Sequence, residues 1–240
     1  MTGAIALHGG GEFMPGDERF LAALLGLGER SPDPIRIAVV PTAAARGRPD
    51  LAAANGIAAF ERIAAEQDRR IVAETVRVVD AGSADDPSMA DVLGQADLIY
   101  LPGGDPDLIP AIMAGSTAWA AVVSAVARGA TLAGASAGAM ALAAWTWTPS
   151  GGVPGLGLVP GLIVMPHADA DSWDAALARF GASVPPGLAA IGLAERTGVI
   201  VPAAGPWRVV GEGEVRWLPA GHGTPRIARD GDTIERQPVF

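Results

Sequence analysis

Short apolar runs alternate along the first part of the chain with longer stretches whose apolar residues recur at helical spacing. Residues 4–8 form the first run, predicted as a strand that ends in Gly9-Gly10-Gly11. Residues 20–27 carry a helical pattern, and 35–41 read as a buried strand. Asp50 is placed to cap a helix running to about residue 67, with Phe60, Ile63 and Ala64 on one face. Strands are expected at 74–79 and 97–101, the second terminated by Pro102-Gly-Gly-Asp-Pro106, and helices at 108–114 and 117–128. An apolar run from Thr131 then reaches Ser136, and an Ala/Leu-rich stretch suited to a helix follows. Strands alternating with helices predict an α/β fold with a parallel sheet covered on both faces.

The character changes after Trp147. Residues 148–157 are rich in Gly and Pro and read as a loop. A strand at 162–165 leads through Pro166 to His167, a helix follows at 173–180, and a strand at 188–193 ends at Glu195. Residues 197–201, 207–210 and 214–218 read as short antiparallel strands. Without a linker, repeat or low-complexity tract, residues 1–240 are expected to form one domain.

Composition prunes the chemistry. The chain has no cysteine, which removes thiol catalysis, disulfides and cysteine-held metals. It has no lysine either, since all 17 basic residues are arginine, so a Ser-Lys dyad, a Schiff base and a Walker-type phosphate lysine are impossible. Three histidines, His8, His167 and His222, are scattered without ligand spacing, so no metal and no cofactor are expected. A net charge of −9 without a basic cluster argues against nucleic acid and anionic membrane as partners. No apolar stretch reaches the roughly 20 residues of a spanning helix. The first residues lack the positive charge of a signal peptide, so a cytoplasmic location is expected.

Gly134-x-Ser136-x-Gly138, between a strand and a helix, is the setting in which a serine sits on a sharp turn with its hydroxyl exposed above a sheet. The two glycines let strand and helix approach closely, and the Ala137 N–H would face a developing oxyanion from the start of the helix. Such a serine needs a base to take its proton and a carboxylate to fix that base's tautomer. His167 at a strand end fits the base, though a surface or capping histidine before Asp169 would look the same. Glu195 fits either the orienting acid or one half of a surface pair with Arg196. Asp169, Asp171 and Asp174 are rival orienters. His8 either lines the cleft or is packed, and His222, in a terminal turn, reads as solvated. Gly103-Gly104 supplies backbone N–H groups beside the turn; a phosphate loop is the rival reading, weakened by Glu12 after Gly11.

Together these motifs resemble the cyanophycinase and peptidase E family of serine peptidases. The resemblance rests on Leu7-His-Gly-Gly-Gly11, Leu101-Pro-Gly-Gly-Asp105, Gly134-Ala-Ser-Ala-Gly-Ala139, His167 and Ile191-Gly-Leu-Ala-Glu195-Arg-Thr197. It implies a class I glutamine amidotransferase-like fold: a three-layer sandwich with a mostly parallel central sheet and a short antiparallel extension at the C-terminus. It implies Ser136 as nucleophile, His167 as base and Glu195 as third member, with Gly104 and Ala137 as oxyanion donors. Gly10, Gly11, Gly103 and Asp105 are then expected against the substrate. The implied activity is hydrolysis of amide bonds in short peptides, aspartyl or isoaspartyl ones among them, with Arg46 or Arg196 available to hold a substrate carboxylate. Pro106 after Gly-Gly-Asp and Ala168-Asp-Ala after the histidine depart from the cyanophycinase branch, and Asp105 departs from the peptidase E branch. An esterase, or a non-catalytic binding member of the fold, are the alternatives. Trp145 and Trp147 beside the turn fit either a pocket wall or a subunit contact, which leaves a homodimer open.

Overall fold

The fold is that of a computed structural model describing residues 3–27, 33–149, 151–180, 185–220 and 223–235. Its strands are β1 (Ile5–His8), β2 (Ile35–Val39), β3 (Ile71–Thr75), β4 (Leu98–Leu101), β5 (Thr131–Ala135), β6 (Ala143–Thr148) and β7 (Gly151–Pro154), followed by β8 (Val159–Met165), β9 (Ala189–Leu193), β10 (Thr197–Val201), β11 (Trp207–Gly211), β12 (Val215–Leu218), β13 (Arg226–Ala228) and β14 (Thr233–Ile234). They build two sheets. The larger has the order β14-β11-β10-β1-β5-β4-β2-β3, and the smaller β13-β12-β9-β8-β6-β7. From β1 to β3 the larger sheet is parallel, and β10, β11 and β14 extend it antiparallel.

The side-chain period of two sorts the central strands into two packed faces. Ala6, Ile37, Val39, Leu98 and Tyr100 face helices α1 (Glu18–Leu25) and α2 (Pro49–Glu66), which supply Phe20, Leu21, Phe60 and Ile63. Ile5, Leu7, Ile99, Leu101 and Leu132 point the other way. That side carries α3 (Ala81–Ala84), α4 (Pro87–Gln95), α5 (Leu108–Met113) and α6 (Thr117–Arg128), with Leu93, Ile109, Val122 and Val126 in the same cluster. Each large side chain withdrawn from water here contributes about 1.5–3 kcal/mol. This is the layered α/β architecture with a mostly parallel central sheet that the alternating pattern predicts.

The smaller sheet packs Leu162, Val164, Ile191, Leu193 and Trp217 into the Leu7–Leu101 side of the core. Its other face, with Ile163, Met165 and Ala190, is covered by Trp173 of helix α8 (Ala170–Phe180). Trp207 on β11 and Trp217 on β12 meet edge to face, ring centroids 5.4 Å apart, and so tie one sheet to the other.

Several elements differ from their predicted positions. The strand expected at 74–79 lies at Ile71–Thr75, an exposed sheet edge, while the apolar Val76 and Val78 continue as buried chain beyond it. Burial and strand pairing are uncoupled there: Val76 keeps one backbone bond to Val39 and no register follows. Asp50 does not cap its helix; Pro49 begins it after Arg48, and Asp50 pairs with Arg77. The helix α7 (Ala137–Leu142) after the serine is a bare turn and a half, because Trp145, Thr146 and Trp147 are bulky or β-branched residues that favour a strand. Gly151–Pro154, expected as loop, pairs with that strand, and a Cβ on Gly152 would strike the Trp145 ring. Helices α3 and α4 were not predicted, although Asp80 with Ser83 forms a capping box and Asp86 caps at Ser88. Among the described residues no helix is long and apolar enough to cross a membrane.

Candidate active site

The carboxyl ends of five strands, drawn from both sheets, meet at one place. Gly9, Gly103 and Ser136 follow β1, β4 and β5 of the larger sheet, whereas His167 and Glu195 follow β8 and β9 of the smaller one. Ser136 sits between β5 and α7 with φ 48° and ψ −113°, a sparsely populated conformation for a residue with a side chain. The close approach expected of its glycines is real. A Cβ on Gly134 would lie 2.5 Å from the Gly138 carbonyl carbon, and one on Gly138 would lie 2.1 Å from the Leu101 oxygen. The Ser136 N–H donates to the His8 carbonyl at 2.9 Å, which pins the turn to β1.

Ser136 Oγ lies 3.0 Å from His167 Nε2, and His167 Nδ1 lies 2.9 Å from Glu195 Oε1. The carboxylate can only accept, so Nδ1 carries the proton and Nε2 is left to accept from the serine hydroxyl. Side chains of His167 and Glu195 are 49% and 45% exposed, so the pair is open to solvent. Both ends of the pair are held by backbone. His167 N–H donates to the Gly9 carbonyl at 2.8 Å, and the Arg196 N–H to the Gly10 carbonyl at 2.7 Å. His167 and Arg196 also adopt positive φ, 52° and 53°. Asp169 serves its helix start, where its carbonyl accepts the Ser172 and Trp173 N–H groups; the hydrogen-bond partner of Nδ1 is Glu195 rather than Asp169, Asp171 or Asp174.

The remaining expected residues fall around this line. Gly10 lies under the imidazole, and a Cβ on Gly11 would lie 3.3 Å from Glu195 Oε2. The N–H groups of Gly104 and Ala137 donate to no acceptor among the described residues. Gly103 N–H is taken: Glu12 Oε1 accepts it at 2.7 Å. Asp105 spends one carboxylate oxygen on Arg46 at 2.7 Å and the other on the Asp107 N–H, while its own N–H donates to the Ala43 carbonyl. Arg196 is likewise engaged, with the Pro15 carbonyl at 3.4 Å and Glu212 at 3.8 Å. Neither arginine put forward as a carboxylate holder is uncommitted.

His8 does not line the cleft. It is wholly buried, with Nε2 2.9 Å from Asp17 Oδ1, its ring against Phe20 and Nδ1 accepting the Gly10 N–H at 3.4 Å. Asp17 also accepts the Phe13 N–H at 2.8 Å, so one buried carboxylate holds both ends of the glycine loop. Beneath it, burial and the nearby Asp17 and Glu12 push the Tyr100 phenol well above its usual range. His222 lies outside the described residues. Glu12 and Asp17 were missed as members of this region. Their signal was available only as an acid after a glycine run and an acid before a helix.

With the geometry in place, comparison with known proteins gives the lineage. Residues 5–202 match the profile of peptidase family S51. A crystal structure of a peptidase from an acI-B1 actinobacterium superposes with a TM-score of 0.83 at 24% identity, covering 98% of each chain. A peptidase E-type protein from Listeria monocytogenes EGD-e superposes with a TM-score of 0.63 at 13% identity, covering 89% of this chain and 99% of its own. No curated protein matches the sequence. The shared fold and a family match over most of its length make this chain a hydrolase that belongs to peptidase family S51.

Proposed function

We propose that the protein is a serine peptidase that hydrolyses amide bonds of short peptides through Ser136, His167 and Glu195. The observation that carries this reading is the unbroken line from Ser136 Oγ through His167 to Glu195, at 3.0 and 2.9 Å. Ser136 Oγ attacks the carbonyl carbon while His167 Nε2 takes its proton. Glu195 stabilises the imidazolium that results. The oxyanion forms beside the N–H groups of Gly104 and Ala137, where losing one donor typically costs about a hundred- to thousandfold in rate. Collapse expels the amine, which leaves with the proton held by His167. Water then enters, gives its proton to Nε2 and releases the acid from the acyl-enzyme.

The aspartyl or isoaspartyl character of the substrate is proposed on the family likeness alone, since Arg46 and Arg196 already hold protein acids. The test is a library of Asp-X, X-Asp and isoaspartyl dipeptides, given to wild type and Ser136→Ala. Cleavage of an aspartyl subset that vanishes in the variant is the expected result. Hydrolysis that survives Ser136→Ala would overturn the nucleophile, and cleavage indifferent to aspartate would overturn the substrate class.

A further inference from the structure

Glu12 ends beside the nucleophile. The point that a Cβ on Gly103 would occupy lies 2.9 Å from Glu12 Oε1 and 3.0 Å from the Ser136 Cβ, so the acid and the serine flank one small volume. Glu12 is partly buried, and its one protein partner among the described residues is the Gly103 N–H. The other acids around the serine are engaged: Glu195 by His167, and Asp105 by Arg46 and the Asp107 N–H. A carboxylate this close to the site of attack opposes the negative charge that grows on the substrate oxygen. That cost is removed when a cation of the substrate sits against it.

We infer that Glu12 is the specificity-determining carboxylate, receiving the α-ammonium of the residue whose carbonyl Ser136 attacks. The inference rests on the serine-peptidase reading above. Reach selects the α-ammonium over a basic side chain. In a poised substrate the attacked carbon stands about 3–3.5 Å from the serine oxygen. The α-nitrogen is two bonds of about 1.5 Å from that carbon, whereas the charged end of a long basic side chain lies several bonds beyond Cα. An acid that flanks the same small volume as Ser136 is therefore within reach of the first and not of the second. The consequence is release of the first residue from peptides with a free amino terminus, the aspartyl ones of the proposed function among them.

Glu12→Gln separates this role from a purely local one, because the amide oxygen can still accept the Gly103 N–H while the charge is gone. Alanyl and aspartyl p-nitroanilides and their N-acetyl counterparts are compared on wild type, Glu12→Gln and Ser136→Ala, with circular dichroism as a check on folding. Wild type is expected to prefer the free amines, and Glu12→Gln to shrink that preference by about ten- to a hundredfold, mainly through KM. A preference unchanged in Glu12→Gln, or no preference in wild type, overturns the assignment and leaves Glu12 as a support for the Gly103 loop. If wild type cleaves none of them, or Ser136→Ala cleaves as well, the serine-peptidase reading fails first. Calorimetry with alanyl-alanine and N-acetyl-alanyl-alanine then decides separately. Tighter binding of the free amine that Glu12→Gln abolishes supports the ammonium site, and equal binding rejects it.

Discussion

The imidazole of His167 rests on the bare α-carbon of Gly10. A Cβ at Gly10 would come within 2.3 Å of His167 Cε1 and 2.8 Å of Nε2, and Gly10 itself has φ +108°. Two independent constraints therefore demand glycine, one steric and one conformational. Gly10→Ala is expected to push the ring from Ser136 and cut kcat by about a hundredfold or more. The rate of fluorophosphonate labelling of Ser136 measures this, and labelling as fast as wild type in a folded variant would refute it.

Under the proposed mechanism, Glu195→Gln leaves His167 with the wrong tautomer, since an amide can donate to Nδ1. An expected fall in kcat of about a thousandfold or more follows. Stability should barely move. Both side chains are nearly half exposed, and exposed ion pairs are worth about 1 kcal/mol or less. A kcat loss without a matching shift in Tm is the result to look for.

Asp17→Ala should behave in the opposite manner. The carboxylate is 1% exposed and serves both His8 and the Phe13 N–H, so its removal strands one buried and one partly buried polar group. Destabilisation of about 3 kcal/mol is expected, read from denaturant melts. Activity is expected to fall as well, because the carbonyls of Gly9 and Gly10 hold the backbone at His167 and Arg196.

Tyr100 is the chain's one tyrosine, which makes its ionisation directly visible in the ultraviolet. Its phenol is held well above the ordinary value, by burial first and then by Asp17 and Glu12. Below the unfolded pKa of about 10 both states are protonated and stability is flat. Above it the unfolded chain loses the proton that the folded one retains, so stability falls as pH rises. Tyr100→Phe is expected to remove that alkaline decline. It should cost little near neutrality, because the hydroxyl is buried without a hydrogen-bond partner among the described residues. Melts from pH 7 to the alkaline range compare the two.

Local pattern made the parallel strands of the larger sheet other than β3, and most flanking helices, legible. Thr117–Arg128 lies where its spacing places it, and Ser136 stands on the turn that its glycines require. Strands at 162–165 and 188–193 were also legible, yet nothing local says that they belong to a second sheet facing the first. That follows from pairing between residues distant in sequence, such as Val164 with Ile191. The same reason explains Glu12. Its bond to Gly103 spans 91 positions and is invisible to any window along the chain. For His8 the sequence left cleft and core open: a polar residue at a strand end looks the same in either, and only Asp17, brought beside it by the glycine loop, places it in the core.

Because Ser136 hangs from the larger sheet while His167 and Glu195 hang from the smaller, hydrolysis by the proposed mechanism would monitor something that spectroscopy of secondary structure does not. Sliding one sheet against the other by a fraction of the 3.0 Å gap would silence the chemistry with every strand intact. The Trp207–Trp217 contact, which joins the two sheets, would then help keep the reacting groups in register from outside the reaction centre. Warming the protein should extinguish catalysis before it melts the backbone, and an acyl-serine inhibitor that also grips His167 should act as a clasp, raising the temperature at which the two halves part.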